Sequence, residues 1–105
     1  MACVYTLSCP FTGAVRYVGK SNGPAKQRYT NHIACGRYPE KQGNRQLYDW
    51  IHSLLEQGEK PALAVVETCE CAEVKQAEKN WYRYYAGHAE LFNLVDFEHR
   101  YRRAA

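Results

Sequence analysis

The sequence predicts a single α+β domain with its elements in the order β-β-α-α-β-α. Two short β-prone runs flank a turn that contains Pro and Gly, which predicts a hairpin. Two later segments have the i, i+3, i+4, i+7 apolar spacing of amphipathic helices, and an aliphatic run lies between them. The chain has 105 residues, enough for one modest core and too few for two ordinary domains.

The hairpin is predicted to pair residues 3–8 with residues 15–20. Pairing centred on Phe11 places Tyr5 opposite Tyr17, on the same face of the sheet. A slip of one residue would move one of these tyrosines to the other face, so their placement depends on the length of the turn.

The next two predicted elements are helices. Capping residues before Pro24 predict a helix over residues 24–35, and residues 36–43 form a polar loop. A second helix begins near Asn44 and ends before Gly58. Its apolar stripe consists of Leu47, Trp50, Ile51, Leu54 and Leu55.

The last two predicted elements are a strand over residues 62–68, apolar enough to be central in the sheet, and a helix over residues 71–86.

On this helix Glu78 falls within an apolar stripe. The stripe consists of Val74, Ala77, Trp81 and Tyr85. A carboxylate in such a position needs a partner, a proton or a cation. A structural ion pair explains Glu78 as well as metal binding does. The candidate partners for that pair are Lys75, Lys79 and Arg28.

The sequence lacks the features of membrane and exported proteins. No run approaches the roughly 20 apolar residues that a membrane span needs. Residues 1–8 lack the basic start and long apolar stretch of a signal peptide. Five cysteines, an odd number at irregular spacings, favour reduced thiols over a disulfide framework. These features predict a cytoplasmic protein without a membrane partner.

The net charge of +3 conceals a difference between the two halves of the chain. Residues 1–50 carry seven Lys and Arg against two acidic residues, whereas residues 51–105 carry seven against nine. Tyrosine, with nine residues, outnumbers Phe and Trp together. A basic half rich in stacking side chains is typical of a protein that binds phosphates or nucleic acid.

Glu78 is accompanied by the residue types that phosphodiester hydrolysis requires. Tyr5 and Tyr17 are predicted on one face of the sheet, and Arg28 and His32 lie one turn apart on the first helix. A base must take a proton from water, a cation must meet the charge on the phosphate oxygens, and a divalent ion must stabilise the leaving oxygen. A single carboxylate suits magnesium, which keeps several waters and also binds substrate phosphate.

Two tripeptides near the N-terminus resemble the signature of a known family. They are Cys3-Val4-Tyr5 and, after eleven residues, Tyr17-Val18-Gly19. Together they resemble the paired motif of the GIY-YIG nucleases, a superfamily of homing, repair and restriction endonucleases. The resemblance covers residues 3–93 and continues through Lys20, Arg28-x3-His32, Glu78 ahead of Trp81, and Asn93. Cys3 stands where the first motif usually has Gly, at the start of the strand and away from the predicted chemistry.

The resemblance implies a fold and an activity. The fold is a three-stranded antiparallel sheet flanked by helices, in a nuclease domain of residues 1–95 followed by a basic tail of residues 96–105. The activity is metal-dependent DNA cleavage with one Mg²⁺ or Mn²⁺ ion held by Glu78 and no small-molecule cofactor. Arg28 would stabilise the transition state, and Gly19 would support the active site.

The resemblance places Tyr5, Tyr17 and His32 around the attacking water. A free phenol, with a pKa near ~10, needs activation by Lys20, His32 or the metal before it accepts a proton at neutral pH. Tyr17 is favoured as the base because it is the nearer partner of Lys20, and Tyr5 can exchange roles with it. Asn93 is expected to brace the metal ligand or the closing segment.

The predicted partner is DNA, bound by a monomer or a homodimer. Basic residues of the first half are expected to contact phosphates without reading the sequence. These residues are Arg16, Lys26, Arg37, Lys41 and Arg45. The alternative is a non-catalytic nucleic-acid binding module in which tyrosines stack on bases. A small protein-interaction domain is a third interpretation, which explains none of the buried polar positions.

Overall fold

The computed structural model of the chain describes residues 1–93. Its elements are β1 (Ala2–Ser8), β2 (Val15–Ser21), α1 (Ala25–Gly36), α2 (Arg45–Glu56), β3 (Ala62–Cys69) and α3 (Val74–Ala86). The described residues form an α+β fold with a three-stranded antiparallel sheet and three α-helices, so the predicted element order is confirmed. The predicted tail, residues 96–105, and the last two residues of the predicted domain lie outside the described residues.

The ends of most elements lie within a residue or two of their predicted positions. Pro24 is the N-cap residue of α1 rather than its first helical residue. The last helix begins later than predicted, because Cys71–Glu73 form a separate 3₁₀ turn ahead of it. Within residues 1–93, the helices are too short or too polar to cross a membrane.

β1 is the central strand of the sheet, with β2 on one side and β3 on the other. The predicted central position of the third strand is therefore wrong. All six residues from Ala2 to Leu7 are buried, whereas most residues of β3 are exposed. β1 is buried on both faces because helices cover both of them. Its alternating residues join one cluster with α1 and α2 and another with α3.

The register of the hairpin differs from the predicted one. Tyr5 pairs with Gly19 and not with Tyr17, an offset of two residues. Two features produce the offset: the turn closes with the Cys9 N–H donating to the Ala14 carbonyl at 2.8 Å, and a bulge shifts the register between the pairs Leu7–Tyr17 and Ser8–Val15. Because side chains alternate with a period of two, this offset keeps both tyrosines on one face. Their ring centroids are 6.4 Å apart.

The segment after α3 returns to the outer edge of β2. The Phe92 N–H donates to the Arg16 carbonyl at 2.5 Å. The side chain of Asn93 makes two bonds with the backbone of Val18: its Nδ2 donates to the carbonyl at 2.9 Å, and its Oδ1 accepts from the N–H at 3.2 Å. Asn93 thus pairs with β2 as a neighbouring strand would, which agrees with the expected role of bracing the closing segment.

Asn44 connects α2 to this segment. Its Oδ1 accepts from the Leu47 N–H at 3.1 Å and caps α2, while its Nδ2 donates to the Phe92 carbonyl at 2.8 Å. Because both bonds are lost, we expect Asn44→Ala to lower the free energy of unfolding by about 1–2 kcal/mol, measured by urea denaturation. Asn80→Ala, which removes an exposed bond to Gln76, is the control. Equal losses in the two variants would contradict this role.

Candidate active site

A pocket of about 490 Å³ lies where β2, the start of α1 and α3 meet. Its lining residues are Tyr17, Lys20, Ser21, Asn22, Gly23, Gln27, Arg28 and Glu78. Four residues of the predicted site therefore line one cavity, although they are spread over three elements of the fold. One of them is a carboxylate, two are cations and one is a phenol.

Glu78 lies on the side of α3 that faces the sheet. Its exposed fraction is 5%, and Val74 and Ala77 on the same helix are also buried. The prediction that this carboxylate falls on the buried stripe is confirmed. Lys20 and Arg28 line the same pocket, so two positively charged side chains and the Glu78 carboxylate border one cavity.

Tyr5 and His32 lie behind the pocket and do not line it. Tyr5 is completely buried, His32 is 3% exposed, and the Tyr5 hydroxyl is 2.7 Å from Nε2 of His32. The Tyr17 ring packs edge-on against the His32 ring, with centroids 5.2 Å apart. The two buried residues therefore support Tyr17, which is the tyrosine that reaches the pocket.

Tyr48 is the residue of this cluster that the sequence analysis missed. It lies on α2, and its hydroxyl is 2.8 Å from Nδ1 of His32. The available signal was its position between Leu47 and Ile51, at the edge of the apolar stripe of a strongly amphipathic helix. A hydroxyl at the edge of a buried stripe needs a polar partner, and here that partner is on α1.

Burial governs ionisation in this cluster. Burial, followed by the positive charge of Arg28, lowers the pKa of His32 to about 4. Burial raises the pKa of Tyr48 to about 12, and burial together with the Tyr17 phenol raises the pKa of Tyr5 further. At neutral pH, His32 is therefore uncharged and both of its tyrosine partners keep their protons.

Arg28 remains charged beside these phenols. Burial acts to lower the pKa of its guanidinium, but the Tyr5 hydroxyl and the phenols of Tyr17 and Tyr48 outweigh burial and raise it. The guanidinium thus interacts with the hydroxyls of all three tyrosines. An anionic ligand in the pocket would therefore meet a permanent positive charge.

Gly19 has no room for a side chain. A Cβ atom there would lie 2.5 Å from Cζ of Tyr5 and 2.8 Å from Cε2 of Tyr17. We expect Gly19→Ala to displace both rings and to lower the free energy of unfolding by about 1–3 kcal/mol, measured by urea denaturation. The control is Gly43→Ala, where a Cβ meets nothing within 4 Å. A loss at Gly43 as large as that at Gly19 would mean that the ring contacts are not the cause.

Two of the predicted phosphate contacts, Lys26 and Arg16, differ from each other in their surroundings. Lys26 is exposed in the first turn of α1, the end of the helix nearest the pocket. Arg16 instead holds the closing segment: its Nη1 donates to the Glu90 carbonyl at 3.1 Å, and its guanidinium lies 5.4 Å from the centroid of the Phe92 ring.

The other three predicted phosphate contacts do not line the pocket. Arg37 follows the last residue of α1, a 12-residue helix, so about 18 Å separates it from the end at the pocket. Lys41 lies over the ring of Tyr38, and Arg45 pairs with Asp49 at 3.5 Å. None of the five predicted phosphate contacts therefore lines the pocket itself.

The donor set of the pocket suits a hard cation held by few protein ligands. In residues 1–93, no three His, Cys, Asp or Glu side chains are grouped so that they could hold a metal ion. Magnesium does not require such a group, because it keeps several waters and binds through one or two carboxylates and substrate phosphate. Glu78 supplies one carboxylate, and the side-chain oxygens of Ser21 and Asn22 belong to residues that line the same pocket.

Comparisons with models of protein families, with curated proteins and with solved structures find no match for this chain. The functional inference therefore depends on the sequence motifs and on the chemistry of the pocket.

Proposed function

We propose that this chain is a metal-dependent DNA endonuclease of the GIY-YIG type. The observation that supports the proposal is the meeting of Tyr17, Lys20, Arg28 and Glu78 in one pocket. Core packing alone does not call for two cations and a phenol around a buried carboxylate. Each of the four supplies a function that phosphodiester hydrolysis needs.

The cationic side of the pocket would bind the scissile phosphate. Arg28 offers a planar guanidinium that can donate two parallel bonds to phosphate oxygens, and Lys20 offers a second positive charge. Asn22 and Gly23 line the pocket immediately before α1, where backbone N–H groups and the helix dipole favour an anion. These groups would also stabilise the additional charge of the transition state.

Glu78 would hold the divalent ion, Mg²⁺ or Mn²⁺. When bound, such an ion stabilises negative charge on the leaving oxygen. Burial on α3 gives this carboxylate, which lines the cavity, few alternative orientations.

Tyr17 is the proposed general base. A phenol accepts a proton from water only after losing its own, and the nearby cations favour that ionised form. Tyr5 is the less suitable base because it is fully buried behind the pocket and its pKa is raised. Tyr5 instead supports the ring of Tyr17 and the position of Arg28.

The test is cleavage of end-labelled duplex, branched and single-stranded DNA by the purified chain with Mg²⁺, Mn²⁺ or a chelator. We expect products with defined ends that appear with either metal and disappear with the chelator. Absence of products from all three substrates with both metals would overturn the proposal.

A non-catalytic nucleic-acid binding module is the second candidate function. Tyr84 favours it, because this side chain is 59% exposed and packs edge-on against Trp81, Tyr85 and His88. A rigid, exposed ring can stack on a nucleobase. DNA binding that is independent of metal and yields no product would favour this candidate over the nuclease.

A further inference from the structure

We infer that Tyr48 is a positioning residue of the active site: its oxygen accepts from Nδ1–H of His32 and holds the imidazole with Nε2 directed at the Tyr5 hydroxyl. Its importance for catalysis rests on the proposed nuclease function, whereas its effect on His32 does not. Tyr48 belongs to α2, an element that contributes no residue to the lining of the pocket.

The first step concerns the two ring nitrogens of His32. Nε2 is 2.7 Å from the Tyr5 hydroxyl, and Nδ1 is 2.8 Å from the Tyr48 hydroxyl. A neutral imidazole carries one hydrogen, so one nitrogen donates and the other accepts. Two arrangements therefore satisfy the distances, and they differ in the direction of both hydrogen bonds.

The second step concerns the hydrogen of the Tyr5 hydroxyl. Tyr5 is completely buried, so this hydrogen needs an acceptor within the protein. The guanidinium of Arg28 interacts with the same hydroxyl, but it carries only donors and can address only the oxygen. In the described part of the chain, the hydrogen-bond partner of Tyr5 that can accept is Nε2 of His32. Tyr5 therefore donates to Nε2.

The third step follows from the second. If Nε2 accepts, the ring hydrogen is on Nδ1, which then donates to the Tyr48 oxygen at 2.8 Å. This bond stabilises the Nδ1–H tautomer. Without the Tyr48 oxygen the Nδ1–H would lose its acceptor, and the imidazole would no longer be held in the orientation in which Nε2 accepts from Tyr5.

The consequence reaches the pocket through Tyr5. With its hydrogen directed at His32, the Tyr5 oxygen keeps its lone pairs for the guanidinium of Arg28. If the imidazole turned away, the Tyr5 hydrogen would lose its acceptor and the hydroxyl would no longer be held with its lone pairs toward Arg28. Tyr48 thus positions Arg28 at the pocket through two intervening side chains, without itself contacting substrate.

The test combines nitrogen NMR of His32 with cleavage kinetics. We compare wild type with Tyr48→Phe, which removes one hydroxyl and keeps the ring. The control is Tyr29→Phe, which removes a hydroxyl that donates to the Pro61 carbonyl at 2.7 Å. We expect protonated Nδ1 in all three proteins, with slow solvent exchange of that hydrogen in wild type and Tyr29→Phe and about tenfold faster exchange in Tyr48→Phe. We also expect kcat to fall about tenfold in Tyr48→Phe, with KM changed less than about twofold.

Either of two results would overturn the inference: an Nε2–H tautomer in wild type, or an Nδ1 hydrogen that exchanges as slowly in Tyr48→Phe as in wild type. The measurement on wild type is decisive even if the variant does not fold. A wild-type chain that cleaves no DNA would refute the nuclease proposal, and the NMR spectra would still decide the role of Tyr48.

Discussion

Glu78→Gln is expected to reduce the rate of DNA cleavage about 100-fold or more. The amide has nearly the shape of the carboxylate but lacks the charge that, in the proposed mechanism, would hold a divalent ion, so metal binding and stabilisation of the leaving oxygen would both be impaired. Single-turnover cleavage at several Mg²⁺ concentrations would measure the effect. We expect the Mg²⁺ concentration for half-maximal rate to rise as well.

The matched control is Glu73→Gln, an exposed position in the 3₁₀ turn just before α3. This variant removes the same charge one helical turn or more away from the pocket, and we expect its rate to stay within about twofold of wild type. Circular dichroism and urea denaturation would establish that both variants are folded. A folded Glu78→Gln enzyme that cuts at the rate of the control would refute the assignment of Glu78 as the metal ligand.

Local sequence patterns predicted the parts of the fold that depend on local forces. Helix α2 was predicted from the capping side chain of Asn44 and an apolar stripe, and both signals lie within a few residues of one another. Glu78 stood out because a charge on a buried stripe is unfavourable wherever the helix packs. That inference required no knowledge of which element lies opposite.

The features that the sequence did not predict depend on contacts between distant elements. The register of the hairpin depends on its turn and on the bulge between Leu7–Tyr17 and Ser8–Val15, and composition alone specifies neither. β3 is as apolar as a central strand, but helices cover both faces of β1 instead. Tyr48 reaches the site only because α2 packs against α1, so no spacing along the chain connects it with His32.

His32 is expected to make the protein sensitive to mild acid. Its ring is surrounded by Tyr5 from β1, Tyr17 from β2, Arg28 from α1 and Tyr48 from α2, and none of these residues is a carboxylate that could stabilise an imidazolium. Burial and the charge of Arg28 therefore lower its pKa from the ordinary 6.5 to about 4. Protonation favours the unfolded chain, in which the imidazole is solvated.

Above pH 6.5 the ring is neutral in both states, and His32 imposes no penalty. As the pH falls from 6.5 to 4, the unfolded chain binds a proton that the folded chain does not, so the free energy of unfolding should decrease by about 3 kcal/mol from this residue.

Urea denaturation at pH 7, 5.5 and 4.5 would measure the decrease. His32→Asn should be less stable at pH 7, because it loses the bonds to two tyrosines, yet show a shallower decline. His88→Asn, at an exposed position, should retain the wild-type slope. Parallel curves for wild type and His32→Asn would mean that the buried imidazole is not the source of the acid sensitivity.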